Sequence, residues 1–240
     1  MQKTINSIKE QSFKSYEVLI IDGNSNDKTK QYLKTLKAPF YYKSENDNGI
    51  FDAMNKGILI AKGDWYYFLG AGDFFYNNTI LASIFNYQQN SKTDLISGCV
   101  EYYGKTKPFI YSKSKNVKTP SWSFFMWVRN GLHHQGTFYK SVLFKNVNYS
   151  LKYKILSDYH FNLCLYILKK ECDILHETIA VCNSDGVSKS GNWHIYKEEI
   201  QLKIEKSSIL LLPVFYFIAL LKFLMRITVN KSSRLRKEDL

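Results

Sequence analysis

The chain has 240 residues, 45% hydrophobic and 16% aromatic, enough apolar side chain to bury a core of its own, so disorder is excluded as the default state. Its formal net charge of +12 is unevenly placed: basic and acidic residues number 11 and 10 over 1–100, 10 and 2 over 101–160, 4 and 6 over 161–200, and 8 and 3 over 201–240. The excess in a middle segment and a tail suits anionic lipid or a phosphorylated substrate; with no RNA or DNA module and no dinucleotide fingerprint, no nucleic acid partner is expected.

The first hundred residues alternate short apolar runs with amphipathic ones, the pattern of a sheet with crossover helices. Glu17–Ile21 reads as a buried strand ending at Asp22-Gly23, and Asn26 or Asp27 caps a helix running to about Leu36. Phe40–Lys43 is a short strand. Ile50–Ala61 is a helix with Phe51, Met54, Ile58 and Ala61 on one side, stopped near Gly63. Trp65–Leu69 is a strand running into Gly70-Ala71-Gly72 and Asp73, and Asn78–Gln89 is helical. Aromatic and β-branched residues with Gly and Pro punctuation make 95–150 a region of hairpins and loops. A helix over Ser157–Lys170 follows, then a strand over Ile179–Cys182, the loop Ser184–Gly191 and a last amphipathic to apolar helical region.

That last region contains a clean apolar run, Ile209–Leu221, of 13 residues. A bilayer span needs about 20. The run therefore suits a helix lying in an interface, with Lys222, Arg226, Lys231, Arg234, Arg236 and Lys237 turned to anionic head groups; the alternative is a buried core helix. Cys99, Cys164, Cys172 and Cys182 form no C-x-x-C pair, which argues against a zinc site and a disulfide framework. Met1–Lys14 is mostly polar and has no charged-then-apolar leader pattern, so the expected location is the cytoplasm, peripheral to the inner face of the cell membrane.

Carboxylates stand at the strand ends, where open α/β sheets bind their ligands. Asp22 can accept from a nucleobase or ribose, or it can open an Asx turn. Asp52 and Asn55 stand at a helix start, where an acidic residue also favours the macrodipole. Asp73 can hold a hard cation or simply end a turn. Asp158 can act as a base or, like Ser157, as a cap. His133 and His134, read as neighbours in a strand, point to opposite faces and so make a poor metal pair. The Trp122–Trp127 cluster suits either core or the lip of a cleft.

In this order, Ile21–Thr29, Ser44–Gly57, Gly63–Leu69 with Asp73, His134–Phe138 and Ser157–Tyr159 resemble the motifs of the glycosyltransferase family 2 group, over roughly residues 2–190. The resemblance implies a GT-A fold: α/β, a Rossmann-like, mostly parallel sheet flanked by helices, here over 1–205, followed by the apolar helix and basic tail of 206–240 as a membrane-docking segment. It implies a transferase, inverting, that moves a sugar from a nucleotide-diphosphate sugar to a lipid-linked or glycan acceptor in cell-surface polysaccharide synthesis. By the same resemblance Asp158 is the catalytic base, and Asp22, Asp52, Asn55, Asp73, His134 and Gln135 bind the nucleotide sugar. Asp73 also carries the Mg²⁺ or Mn²⁺ cofactor. Where the family has an Asp-x-Asp or Asp-Asp motif, this chain has one carboxylate.

Family members begin with one more strand, central to the sheet, whereas this chain begins at the helix after it, Gln2–Gln11. The expectation is that the listing of codons upstream of Met1 supplies an apolar strand, and that a chain starting at Met1 shows a split sheet and weakened activity. A truncated or inactive paralogue, acting as a membrane-associated binding protein, is the alternative function.

Overall fold

The computed structural model describes residues 1–25, 28–88, 92–104, 116–184 and 191–238, with side chains through 228. The expected cap at Asn26 or Asp27, most of the loop 184–191, and the side chains of Lys231, Arg234, Arg236 and Lys237 lie outside the described residues.

Helix α1 (Gln2–Lys9) leads into β1 (Val18–Asp22), α2 (Lys28–Lys34), β2 (Phe40–Ser44) and α3 (Ile50–Ile60). Next come β3 (Trp65–Tyr67), β4 (Phe74–Phe75), α4 (Ile80–Gln88) and the long β5 (Leu95–Tyr103). The remainder comprises β6 (Val117–Lys118), β7 (Thr137–Lys140), α5 (Ser157–Ile167), β8 (Cys172–Asn183), α6 (Trp193–Glu205) and α7 (Leu212–Glu238). The expected elements of the first hundred residues are present, each within a few residues of its expected ends. The strand expected at Ile179–Cys182 is the last part of the longer β8: His176 and Glu177 interrupt the apolar run, and the register on β5 shifts there before pairing resumes at Thr178.

β5 is the spine of the larger sheet, whose order is β3-β7-β5-β8-β4 with β6 on β5. Its Leu95–Val100 are all buried, as expected of a strand covered on both faces. Ser97 lies within that run, and its hydroxyl is shared with Thr137 on β7 at 2.8 Å, so no buried hydroxyl is left open. The pairing is mixed: β5–β8 is parallel, while β3–β7, β4–β8, β5–β6 and β5–β7 are antiparallel. This corrects the expectation of a mostly parallel sheet. β7 comes next after β6 in the chain and lies antiparallel on β5, with no α-helix among the described residues between β5 and β7 to carry a parallel crossover.

β1 and β2 form a separate parallel pair, with Asp22 opposite Ser44. Among the described strands none joins β1 to β3, so the strands form two separate sheets. The two pieces still share a core. Val18 and Ile20 of β1 and Trp65 and Tyr67 of β3 pack on the cluster of Ile5, Ile8, Phe75, Ile80, Ile84 and Phe138. A second cluster, with Phe51, Leu95, Tyr139, Phe144, Tyr149 and Phe161, joins α3 to α5 on the sheet.

Candidate active site

The sequence-predicted residues gather in two groups. The first follows β1. The parallel register sets Ser44 beside Asp22, and the Ser44 hydroxyl donates to Asp22 Oδ2 at 2.6 Å. Ser25 adds its N–H at 3.1 Å and its hydroxyl at 2.6 Å. Burial acts to raise this carboxyl's pKa, but the hydrogen bonds from Ser25 and Ser44, with the Lys30 charge, outweigh it and hold it below the ordinary range. Gly23 lets the next loop close in: a Cβ there would lie 2.5 Å from Asp47 Oδ2. Just beyond that loop, in the first turn of α3, Asp52 accepts the Asn48 N–H at 2.8 Å, the main reason its pKa is lowered, and pairs with Lys56 at 3.3 Å.

Asn55, one turn along α3, is occupied otherwise. Its Nδ2 donates to the Tyr149 carbonyl at 2.8 Å and its Oδ1 accepts the Tyr149 N–H at 3.0 Å. The structure thus gives this amide a clamp on the loop that leads to α5. Beside the clamp, Phe51 meets Tyr149 at 5.6 Å between ring centroids, and Tyr149 meets Phe161 of α5 at 5.1 Å. Through these contacts the helix carrying Asp52 is packed to the helix carrying Asp158.

The second group centres on the 3-10 turn His134–Gly136. Asp73 is 6% exposed and follows the Gly70-Ala71-Gly72 turn. Its Oδ1 accepts the Asn183 N–H at 2.7 Å, and the Gln135 amide donates to its Oδ2. Burial dominates and raises its pKa, against the lowering influence of the Asn183 hydrogen bond and the His134 charge. Asp158, in the first turn of α5, accepts its own helix's Tyr159 N–H at 2.8 Å and Asn130 Nδ2 at 3.2 Å, and lies 3.5 Å from His134 Nδ1. A buried amide relay stands behind it: Asn162 donates to Asn130 at 3.2 Å, and the Tyr139 hydroxyl donates to Asn162 at 3.0 Å. The Tyr102 hydroxyl is pushed up mainly by burial, with Cys182, Asp158 and Asp73 adding to the rise.

His133 and His134 do not oppose each other as a strand would require. The chain enters a 3-10 turn there, and the two rings stack with centroids 5.2 Å apart. Asn130, Asn162 and Asn183 are site residues that sequence reasoning missed. One signal was available: Asn162 is fully buried on an otherwise apolar stretch of helix, where a lone amide needs a partner.

Two open clefts, of about 480 and 570 Å³, lie among Lys9, Lys14 and Pro39 and among Asn6, Phe74 and Tyr76; none of the predicted site residues lines either. Among the described residues no three His, Cys, Asp or Glu side chains gather as a metal cluster. Asp73 nevertheless fits a cation whose other ligands come from a bound substrate. Both its partners are neutral N–H donors, which leave lone pairs on each oxygen, and a Cβ at Gly70 would fill the space 2.6 Å from Oδ2.

Comparison with known proteins bears on the family and the fold. Over 189 residues, 76% of this chain and 71% of the relative, the sequence is 29% identical to a PGL/p-HBAD biosynthesis glycosyltransferase of Mycobacterium tuberculosis. The fold matches Staphylococcus aureus TarS 1-349 in complex with UDP-GlcNAc with a TM-score of 0.66 at 16% identity, over 85% of this chain and 62% of that one. It also matches the mannosyltransferase PcManGT of Pyrobaculum calidifontis, solved with GDP-Man and Mn²⁺, with a TM-score of 0.55 at 14% identity, over 99% and 75%. The chain is thus similar to TarS across less than two thirds of the TarS chain, and the likeness establishes the GT-A α/β fold. The family model for glycosyl transferase family 2 matches residues 1–170, and the chain belongs to that family.

Proposed function

We propose that the protein transfers a sugar from a nucleotide-diphosphate sugar to a hydroxyl of a lipid-linked or glycan acceptor, with inversion, in cell-surface polysaccharide assembly at the cytoplasmic face of a membrane. The observation that carries the reading is the adjacency of His134 and Gln135. His134 Nδ1 lies 3.5 Å from Asp158 and Gln135 donates to Asp73, so two neighbouring residues link the proton acceptor to the anionic cation ligand.

In this mechanism Asp22 and Asp52 stay anionic and accept from hydroxyl and N–H groups of the nucleoside. Asn55 acts from behind, through the loop at Tyr149. Asp158 takes the proton of the acceptor hydroxyl as its oxygen attacks the anomeric carbon; the bond from that carbon to the diphosphate breaks, and its electron pair leaves with the diphosphate. A Mg²⁺ or Mn²⁺ ion on Asp73, when bound, neutralises the charge gathering there. Gln135 fixes the Asp73 carboxylate, and Asn130 fixes Asp158, with His134 Nδ1 3.5 Å from it. The relatives bind UDP-GlcNAc and GDP-Man in their own structures, which supports the donor class. An anionic bilayer is the docking partner, through 206–240.

A second reading is a binding protein without turnover. It draws on the single carboxylate at Asp73, already engaged by two donors. Nucleotide release from UDP- and GDP-sugars, measured with added Mn²⁺ or Mg²⁺, separates the two. Metal-stimulated release that falls about 100-fold or more in Asp73→Ala supports the transferase. Donor binding that is equal in both proteins, with no release from either, supports the binding protein.

A further inference from the structure

Helix α7 faces the wrong way for a core helix. Phe215, Ala219, Lys222 and Arg226 recur every three or four residues and share one face; Val214, Phe217, Leu221 and Leu224 share the opposite one. An amphipathic helix on a soluble domain turns its apolar side inward. Here the inward side carries the lysine. Phe215 and Ala219 are buried on α6, and Lys222 Nζ lies 2.6 Å from both oxygens of the buried Glu199, with the Val128 carbonyl at 3.1 Å. Lys203 holds the same carboxylate from α6. This corrects the expectation that Lys222 and Arg226 point to head groups: Lys222 is inside, and Arg226 packs beside Gly191.

The outward side is apolar. Phe217 is 59% exposed, with Val214, Leu221 and Leu224 at 44–50%, and Leu210 in the 3-10 turn Ile209–Leu211 just before the helix is 84% exposed. Rolling the helix over would cover that stripe, but it would strip Glu199 of one of its two cations inside the protein, a strongly unfavourable change. The ion pairs therefore set the rotation and hold the apolar stripe in water.

A second element lies against the same seat. In the 3-10 turn Phe124–Trp127, Trp127 stacks on Phe215 with centroids 6.2 Å apart, and Val128 next to it accepts from Lys203 and Lys222. The turn's other end leaves Phe124 72% and Phe125 63% exposed.

We infer that the outer stripe of α7 and the Phe124–Phe125 turn form one membrane-inserting face, which lies in the surface of an anionic bilayer. The partner's nature rests on the membrane docking proposed above; the two-part face is independent of catalysis. Ile209–Thr228, with mean hydropathy 2.0, is long and apolar enough to cross a bilayer. Its attachment at Phe215, Ala219 and Lys222 keeps it alongside the domain, and so in the interface. The choice of anionic lipid follows from charge: with Lys203 and Lys222 held by Glu199, 201–240 still carries 6 further basic residues against 3 acidic ones, and 101–160, which includes the turn, carries 10 and 2. The geometry also has a use. Asn130, which holds Asp158, is in the segment just after this turn, so the proposed base stands near the lipid surface from which a lipid-linked hydroxyl would come.

The test is flotation of the full chain with vesicles of phosphatidylglycerol and phosphatidylcholine in equal parts, against phosphatidylcholine alone. Wild type should float with the anionic vesicles only. Phe124→Ser/Phe125→Ser and Phe217→Ser/Leu221→Ser should each weaken binding about ten-fold or more, with unfolding curves unchanged because the replaced side chains are exposed. Normal flotation of the Phe124/Phe125 variant with loss in the Phe217/Leu221 variant would overturn the two-part face and leave helix docking standing. Failure of wild type to float would end the membrane reading altogether. A dimer by light scattering that both variants abolish would make the face a contact between two copies instead, and would overturn the proposal.

Discussion

Asp22 and Asp73 each follow a strand and are each 6% exposed, yet they are held in opposite ways. Asp22 collects three hydrogen bonds from two serines and its carboxyl stays below the ordinary range. Asp73 has one backbone N–H and one amide, and burial raises it. Two things differ: Asp22 is served by more donors, and the Asp73 carboxyl lies deeper, so burial costs its charged form more. A carboxylate that is fully served is a stable part of the scaffold and a permanent anion. One that is under-served carries excess negative potential, which a cation can relieve.

The largest effect that would break or sharpen this contrast lies in the Asp73 neighbourhood. Asp158→Asn keeps an acceptor for the Tyr159 N–H but cannot take a proton, so kcat should fall by about 10²–10⁴ with the donor KM nearly unchanged. A loss confined to KM in steady-state transfer assays would remove Asp158 from the base role.

Next in size is a stability contrast. A carboxyl whose pKa is lowered on folding stabilises the protein above its unfolded pKa, and that contribution is lost as pH falls through the folded value; a raised one destabilises at neutral pH and is relieved as pH falls. Asp22→Asn should therefore lower the unfolding free energy at pH 7 by about 1–3 kcal/mol in urea titrations. Asp73→Asn should leave it level or higher, and should gain less than wild type on acidification. Equal losses in both variants would show that the two sites do not differ as described.

The smallest effect should come from Asp52→Asn. This side chain is partly exposed and screened, so the donor KM should change by no more than about five-fold, with kcat retained. A larger change would move Asp52 from the edge of the nucleotide site to its centre.

Much of the scaffold was legible from periodicity. The apolar face of α3 and the apolar run of β1 are local patterns, and the ordered acidic motifs around them were enough to indicate the family. The pairing of 95–150 was not legible, because strand direction depends on which distant segment completes the ladder, as β5 shows by pairing β7 one way and β8 the other. Asn55 shows the same limit within the site. Its motif suggested a ligand contact, whereas its partner is the backbone of Tyr149, 94 positions away.

By itself the sequence determined the family, the acidic residues at the strand ends and the presence of an apolar helix near the C-terminus, because each of these is written in neighbouring residues. Only the tertiary structure decided that Asp73 and Asp158 meet through Gln135 and His134, and that α7 turns Lys222 inward and its leucines outward. The physical reason is common to both. A buried charge takes its orientation from whichever donor or counter-ion the fold brings to it, and that partner is supplied by a distant part of the chain.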